Sequence, residues 1–94
     1  MTFERYAKDW LAAQTFDEAS RRSVEARLRV HVFPHLGHRE IGAILPSHVQ
    51  ALLRALQQDL APSFVRVIFV HLSAVLSAAV DDEKIIKILA RPPR

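Results

Sequence analysis

The sequence predicts an all-α domain, a small bundle of four main helices followed by a short C-terminal helix. Half of its 94 residues are hydrophobic and only two are glycine, which is typical of a compact helical bundle. Residues 62–80 form one nearly continuous apolar stretch, enough for a helix of roughly 27 Å. The segments before it repeat apolar residues at helical spacing. We expect those segments to pack around this central helix.

The first predicted helix begins after Thr2, whose side-chain oxygen can cap a helix. Its apolar stripe has the spacing i, i+3, i+4, i+7, i+8 and consists of Phe3, Tyr6, Ala7, Trp10 and Leu11. An aromatic stripe at this spacing indicates core packing rather than a platform for a ligand.

A second helix is predicted to begin at Asp17. Its apolar side carries Val24 and its opposite side is rich in arginine. Arg21 and Arg29 each stand four residues from Glu25 and can pair with it. Bases early in a helix oppose the helix dipole, which hints that an external anion compensates them.

The segment from His31 to Gly37 is predicted to be a turn that ends the second helix. Pro34 disfavours a helical conformation at Phe33, and the glycine permits a tight turn. Three histidines occur here within eight residues, but no acid or cysteine completes a known metal-ligand spacing. We therefore expect no metal site.

The remaining helices have clear predicted starts. Pro46 suits the first position of a third, leucine-rich helix, and Ser63 is predicted to cap the central helix. The acids at positions 81–83 can cap a last short helix that carries Ile85, Ile86 and Leu89. Residues 1–90 are thus predicted to form one domain, and 91–94 the start of a linker.

Charge is concentrated in the middle of the chain. Residues 20–66 carry seven arginines against three acidic residues. Arginine forks pair with phosphate and with guanine edges more specifically than lysine does. The pattern favours a surface that faces a polyanion, although a solvated helix face is an equally simple interpretation.

The order of these signals resembles a known family. Four motifs carry the resemblance: V-F-P-H-L-G at 32–37, R-x-I-x-x-I at 39–44, L-A-P-S at 60–63 and A-A-V-D-D-E-K-I-I at 78–86. Together they resemble the N-terminal core-binding, SAM-like domain of tyrosine recombinases, the phage-integrase family. The resemblance implies an orthogonal bundle joined to a C-terminal catalytic domain, the two clamping DNA at a recombination core site. It implies no catalytic residue and no cofactor in this domain.

The resemblance also implies that the starts of the second and fourth helices face double-stranded DNA. The residues there, with one in the connector between them, are the candidate DNA-binding set: Ser20, Arg21, Arg22, Arg39, Ser63 and Arg66. The implied partners are DNA, the catalytic domain of the same parent chain and other recombinase protomers. The resemblance also implies that the parent protein is bacterial or phage-encoded and acts in the cytoplasm, associated with the nucleoid. No membrane partner is expected, because Arg66 and His71 interrupt the central apolar run.

Three departures from the family pattern leave a second hypothesis open. Leu45 stands where the family favours an N-cap, Phe64 follows Ser63, and Ile88-Leu89 replaces a usual stop. Each change substitutes a hydrophobic residue, which favours a helical protein–protein interaction module or a homodimer of the isolated domain. An enzyme is the least favoured class, because no nucleophile–base pair or phosphate loop is visible.

Overall fold

The computed structural model describes residues 1–82 of the chain. It contains four α-helices, a π-helical stretch and a short 3₁₀ turn. The α-helices are α1 (Phe3–Ala13), α2 (Glu18–Arg27), α3 (Pro46–Asp59) and α4 (Pro62–Asp81). The π-helix, here called the π segment, spans Leu28–Gly37, and the 3₁₀ turn spans Ile41–Ala43. The predicted all-α bundle of four main helices is confirmed, while the predicted short C-terminal helix lies outside the described residues.

Three of the predicted helix starts are confirmed. Thr2 caps α1, its hydroxyl oxygen accepting the Arg5 amide at 3.2 Å. Asp17 caps α2 through the Ser20 amide at 2.7 Å, and this contact lowers the pKa of the Asp17 carboxyl. Pro46 opens α3. In each case the signal is local, since a cap or a proline acts within one turn.

The fourth start differs from the prediction, because Ser63 does not cap α4. The N-cap is Ala61 and Pro62 is the first helical residue. Proline fits this position well, since its fixed φ suits the helix and its missing N–H would have had no partner there. Ser63 therefore lies within the first turn, with an exposed side chain.

The predicted turn from His31 to Gly37 is also wrong, because the chain stays helical throughout the π segment. Val32 and Leu36 are buried with 0% and 2% of their surface exposed, so tertiary packing favours the helical path. Pro34 lies inside this helix. In an α-helix its ring would collide with the carbonyl four residues earlier, and the wider π turn moves that carbonyl away.

The inner side of α4 forms the centre of the core. Six of its residues are buried: Val65, Ile68, Leu72, Val75, Leu76 and Ala79. They pack with Phe3 of α1, Leu28 and Leu36 of the π segment and Leu52 of α3. By length and composition α4 could cross a membrane, but this inner side is committed to the domain. The expectation that neighbours cover α4 on all sides is wrong, because Val67 and Val70 are exposed.

A side-chain hydrogen bond joins the far end of α4 to α1. The buried Tyr6 donates its hydroxyl to Asp82 Oδ2 at 2.6 Å. Burial and the neighbouring carboxylates raise the pKa of Tyr6 above its usual value, so the phenol remains a donor at neutral pH. Core packing by Tyr6 is thus confirmed, with a polar contact that periodicity does not predict.

Candidate nucleic-acid interface

Five of the six candidate DNA-binding residues belong to two helices that touch each other, the helix formed by α2 and the π segment and helix α4. Two side-chain contacts join these helices. Arg27 Nη1 lies 3.2 Å from His71 Nε2, and the ring centroids of His31 and Phe64 lie 5.4 Å apart, edge to face. From the first contact to the second, the residue number rises from 27 to 31 on one helix and falls from 71 to 64 on the other. The two helices therefore run in opposite directions. The starts of α2 and α4 therefore lie at opposite ends of this pair.

Arg21 is directed away from the pair and towards α1. Its guanidinium donates to the carbonyl of Leu11 and, at 2.8 Å, to that of Gln14. A cation at the C-terminus of a helix satisfies carbonyls that have no partner within the helix and interacts favourably with its dipole. The predicted pairing of Arg21 with Glu25 does not form, because Glu25 binds Arg29 at 2.8 Å instead.

Arg22 is exposed, with its Nε 3.4 Å from the carboxylate of Glu18. Both side chains are largely in solvent, at 79% and 69% exposure, so the pair contributes little and leaves the guanidinium available to a stronger anion. Ser20 differs, since its amide and its hydroxyl both hydrogen-bond the Asp17 carboxylate. Its hydroxyl is thus engaged in capping α2.

Arg66 and Ser63 are exposed in the first turns of α4. Arg66 lines a shallow depression of about 290 Å³ with Gln57 and Phe69 and forms no ion pair within residues 1–82. The exposed Arg39 lies elsewhere: its carbonyl accepts the Phe3 amide at 2.8 Å, beside the start of α1. The structure therefore does not bring Arg39 to the α2–α4 pair through any described contact.

The spacing of the exposed cations follows from the direction of the helices. Arg22 precedes Arg27 by five residues, and Arg66 precedes His71 by five. At a rise of 1.5 Å per residue, each lies roughly 7 Å along its own helix from the Arg27–His71 contact, on opposite sides of it. Five residues also turn each helix by about 140° beyond a full turn. Arg22 and Arg66 therefore lie on other sides of their helices than Arg27 and His71, and Arg66 borders Gln57 of α3.

Sequence reasoning missed the contact between Arg27 and His71. Arg27 and His71 are half-buried and meet across 44 residues of sequence, and Ser23 lies beside them in one cleft. A local pattern carries no signal for such a contact. The sequence offers one clue: the residues four positions before and after Arg27 are Ser23 and His31, so Arg27 has no acidic partner on its own helix at that spacing.

The histidines do not gather into a metal site. Within residues 1–82, no three histidine, aspartate or glutamate side chains are close enough together to hold a metal ion. His31 faces the ring of Phe64, while His35 and His38 are exposed.

The comparisons with known proteins agree with this architecture. The family model described as the phage integrase central domain matches residues 3–88, almost the whole chain. The chain therefore belongs to the phage integrase central-domain family, and its fold is the SAM-like fold of that family. Such a central domain is non-catalytic by itself. No curated protein matches the chain.

Two solution NMR structures are similar over nearly all of the chain. The phage integrase SAM-like domain from Moorella thermoacetica is 30% identical, with a TM-score of 0.80, over 100% of this chain and 86% of that one. The integrase-like domain from Bacillus cereus has a TM-score of 0.90 at 19% identity, over 99% of this chain and 81% of that one. The second similarity shows the fold alone, whereas the first supports the family as well.

Proposed function

We propose that this domain is the DNA-binding module of a site-specific tyrosine recombinase or integrase and helps to clamp the recombination core site. The observation that carries the proposal is the exposure of Arg22 in α2 and of Arg66 in the first turns of α4. Arg22 has only a solvated carboxylate as its partner and Arg66 forms no ion pair within residues 1–82, so both guanidinium groups are available to backbone phosphates. Membership of the integrase family supports the same conclusion.

The proposal assigns different roles to the six candidate residues. Arg22 and Arg66 contact backbone phosphates, and Ser63 adds a hydroxyl in the first turn of α4. Arg21 acts indirectly, by fixing α1 against the start of α2. Ser20 supports the cap of α2, and Arg39 contacts DNA only if the duplex extends to the start of α1. The parent protein supplies the catalytic domain and neighbouring protomers, and acts on DNA in the cytoplasm, with residues 1–90 as the binding unit.

The test compares two double variants that remove the same charge. Arg22→Ala/Arg66→Ala takes two cations from the α2–α4 pair, and Arg5→Ala/Lys8→Ala takes two from α1. Fluorescence anisotropy with a labelled duplex at several salt concentrations measures the affinity of each variant and of the wild type. Loss of two phosphate contacts should reduce the steepness of log K against log salt by roughly 1.8. The α1 variant should retain most of the wild-type slope.

Equal weakening by the two double variants would show that net charge, rather than the α2–α4 pair, governs binding. Wild-type affinity in the Arg22/Arg66 variant would remove those residues from the interface. No measurable binding by the wild type at low salt would overturn the proposed function.

A second function is favoured by the apolar residues on the outer side of α4. Val70 and Val67 are 57% and 37% exposed, and Val30 of the π segment is 52% exposed. Such residues favour self-association of the isolated domain, the alternative predicted from sequence. Sedimentation without DNA tests it: a dimer that resists salt and is broken by Val70→Lys supports the alternative, whereas a monomer at all concentrations excludes it.

A further inference from the structure

A cleft separates α2 from α4 on the flank where Arg27 meets His71. It has a volume of about 400 Å³ and is lined by Ala19, Ser20, Ser23, Val24, Arg27 and His71. None of these side chains is acidic. The nearest acids in sequence have other partners: Asp17 binds Ser20, Glu18 binds Arg22 and Glu25 binds Arg29. The end of the cleft at Arg27 therefore has a cation and a hydroxyl without a carboxylate.

The contact between Arg27 and His71 fixes the guanidinium at the edge of this cleft. A guanidinium has only donors, so the Nε2 atom of His71 accepts and its ring is neutral with the proton on Nδ1. Burial and, second, the charge of Arg27 lower the pKa of His71. One of the five guanidinium N–H groups is used by this contact. The others remain for an anion, because Arg27 forms no ion pair with a carboxylate among residues 1–82.

We propose that this cleft holds one phosphate of the DNA backbone between Arg27, His71 and the Ser23 hydroxyl, and that His71 takes up a proton when the phosphate binds. The proposal rests on the proposed function and adds to it a phosphate site of three residues and a protonation step. Its ligand is a phosphodiester, which carries one negative charge and accepts hydrogen bonds. The hydroxyl of Ser23, the guanidinium of Arg27 and the ring of His71 line the same cleft and can contact such a group from one side.

The proton uptake follows from the charges around His71. In the free protein Arg27 disfavours a second positive charge beside it. The proton goes to Nε2, so the hydrogen bond from Arg27 to that atom is broken. The phosphate replaces it by accepting from both Arg27 and the imidazolium, and its charge offsets their repulsion. The pKa of His71 is therefore higher in the complex than in the free protein, so binding strengthens as pH falls through the interval between the two values.

The other titratable groups on elements packed against α4 leave this argument unchanged. Tyr6 of α1 is bonded to Asp82, eleven residues beyond His71, and His31 of the π segment contacts Phe64, seven residues before it. On α3, His48 accepts from the Leu45 amide, and Arg54 and Asp59 are exposed. Among the described residues, only Arg27 acts on the His71 pKa through its charge.

The experiment is a duplex titration of the 94-residue chain between pH 5.5 and 8 at constant ionic strength. The variant is His71→Gln, whose amide oxygen can still accept from Arg27 but cannot become charged. The matched control is His35→Gln, which removes an exposed histidine from the π segment. We expect wild type and His35→Gln to bind about three- to tenfold more tightly at pH 5.5 than at pH 7.5, a gain bounded by one proton. His71→Gln should lack this gain.

A second measurement uses the wild type alone. NMR titration of the His71 imidazole, with and without saturating duplex, should show a higher pKa in the complex. An unchanged pKa, or a His71→Gln variant with the wild-type pH dependence, would overturn this inference while Arg22 and Arg66 still contributed to DNA binding. Absence of DNA binding at every pH would overturn the proposed function and this inference together.

Discussion

Cationic side chains have different kinds of partner on the two flanks of α2. On the flank that faces α1, a groove of about 420 Å³ is lined by four charged residues, which neutralise one another in two ion pairs. Lys8 binds Glu4 at 2.9 Å and Arg29 binds Glu25 at 2.8 Å. On the flank that faces α4, Arg27 has a neutral histidine as its partner. One helix thus satisfies its cations on one side and leaves a cation available on the other.

The difference shows why the number of arginines is a poor guide to binding. Arg21, Arg22, Arg27 and Arg29 lie within nine residues, yet each has a different kind of partner. Arg21 donates to backbone carbonyls, and Arg22 lies near a solvated carboxylate. Arg27 contacts an imidazole, and Arg29 binds a carboxylate at close range. The availability of each guanidinium to DNA depends on these partners. Arg22 and Arg29 find theirs at i±4, whereas tertiary structure supplies those of Arg21 and Arg27.

The largest effect should come from Arg21, whose role is structural. Arg21→Ala removes two hydrogen bonds from a charged donor to the carbonyls at the end of α1, so we expect the free energy of unfolding to fall by about 2 kcal/mol. Arg22→Ala, one residue further, should change it by less than about 0.5 kcal/mol. Urea denaturation followed by circular dichroism measures both. Similar losses in the two variants would show that the Arg21 contacts do not stabilise the domain.

A tenfold effect is expected from Arg27, and little from Arg29. Arg27→Ala should weaken binding to a duplex by about tenfold and reduce the salt slope by roughly 0.9, the value for one phosphate. Arg29→Ala removes the same charge from the flank where Glu25 already neutralises it, so its affinity should remain within about twofold of wild type. Anisotropy titrations at matched salt measure the ratio. If Arg29→Ala weakened binding as much as Arg27→Ala, the two flanks would not differ.

The smallest effect should come from making the α1 flank resemble the α4 flank. Glu4→Gln/Glu25→Gln leaves Lys8 and Arg29 without their carboxylates. At low salt we expect a two- to threefold gain in DNA affinity from the longer-range field, and no gain at high salt, where exposed charges are screened. A gain that persisted in high salt would indicate direct contact between the α1 flank and the duplex.

The sequence predicts those features of the fold that depend on neighbouring residues. The caps at Thr2 and Asp17 and the proline start of α3 act within one turn, and all three are confirmed. The π segment could not be predicted, because burial of Val32 and Leu36 outweighs the local preference of Pro34 to end a helix. Local preference and tertiary packing disagree there, and packing prevails.

The candidate site shows the same division. Exposure of Arg22 and Arg66 follows from their positions on amphipathic helices, and their assignment to DNA stays a prediction. The carbonyl partners of Arg21 lie seven and ten residues away, beyond the i±4 pairs that helical periodicity describes. The Arg27–His71 contact joins elements 44 residues apart. No local rule distinguishes these partners from the carboxylates that stand closer in sequence.

The bonds from Arg21 to the end of α1 also bear on how the domain opens and closes. They join two consecutive helices through a short connection, and short loops lose little entropy on closure. We therefore expect the last turn of α1 and the first turn of α2 to exchange their amide hydrogens together, as one cooperative unit. Such a hairpin can assemble early, before the distant partners on α4 arrive, and would offer them a surface already in place.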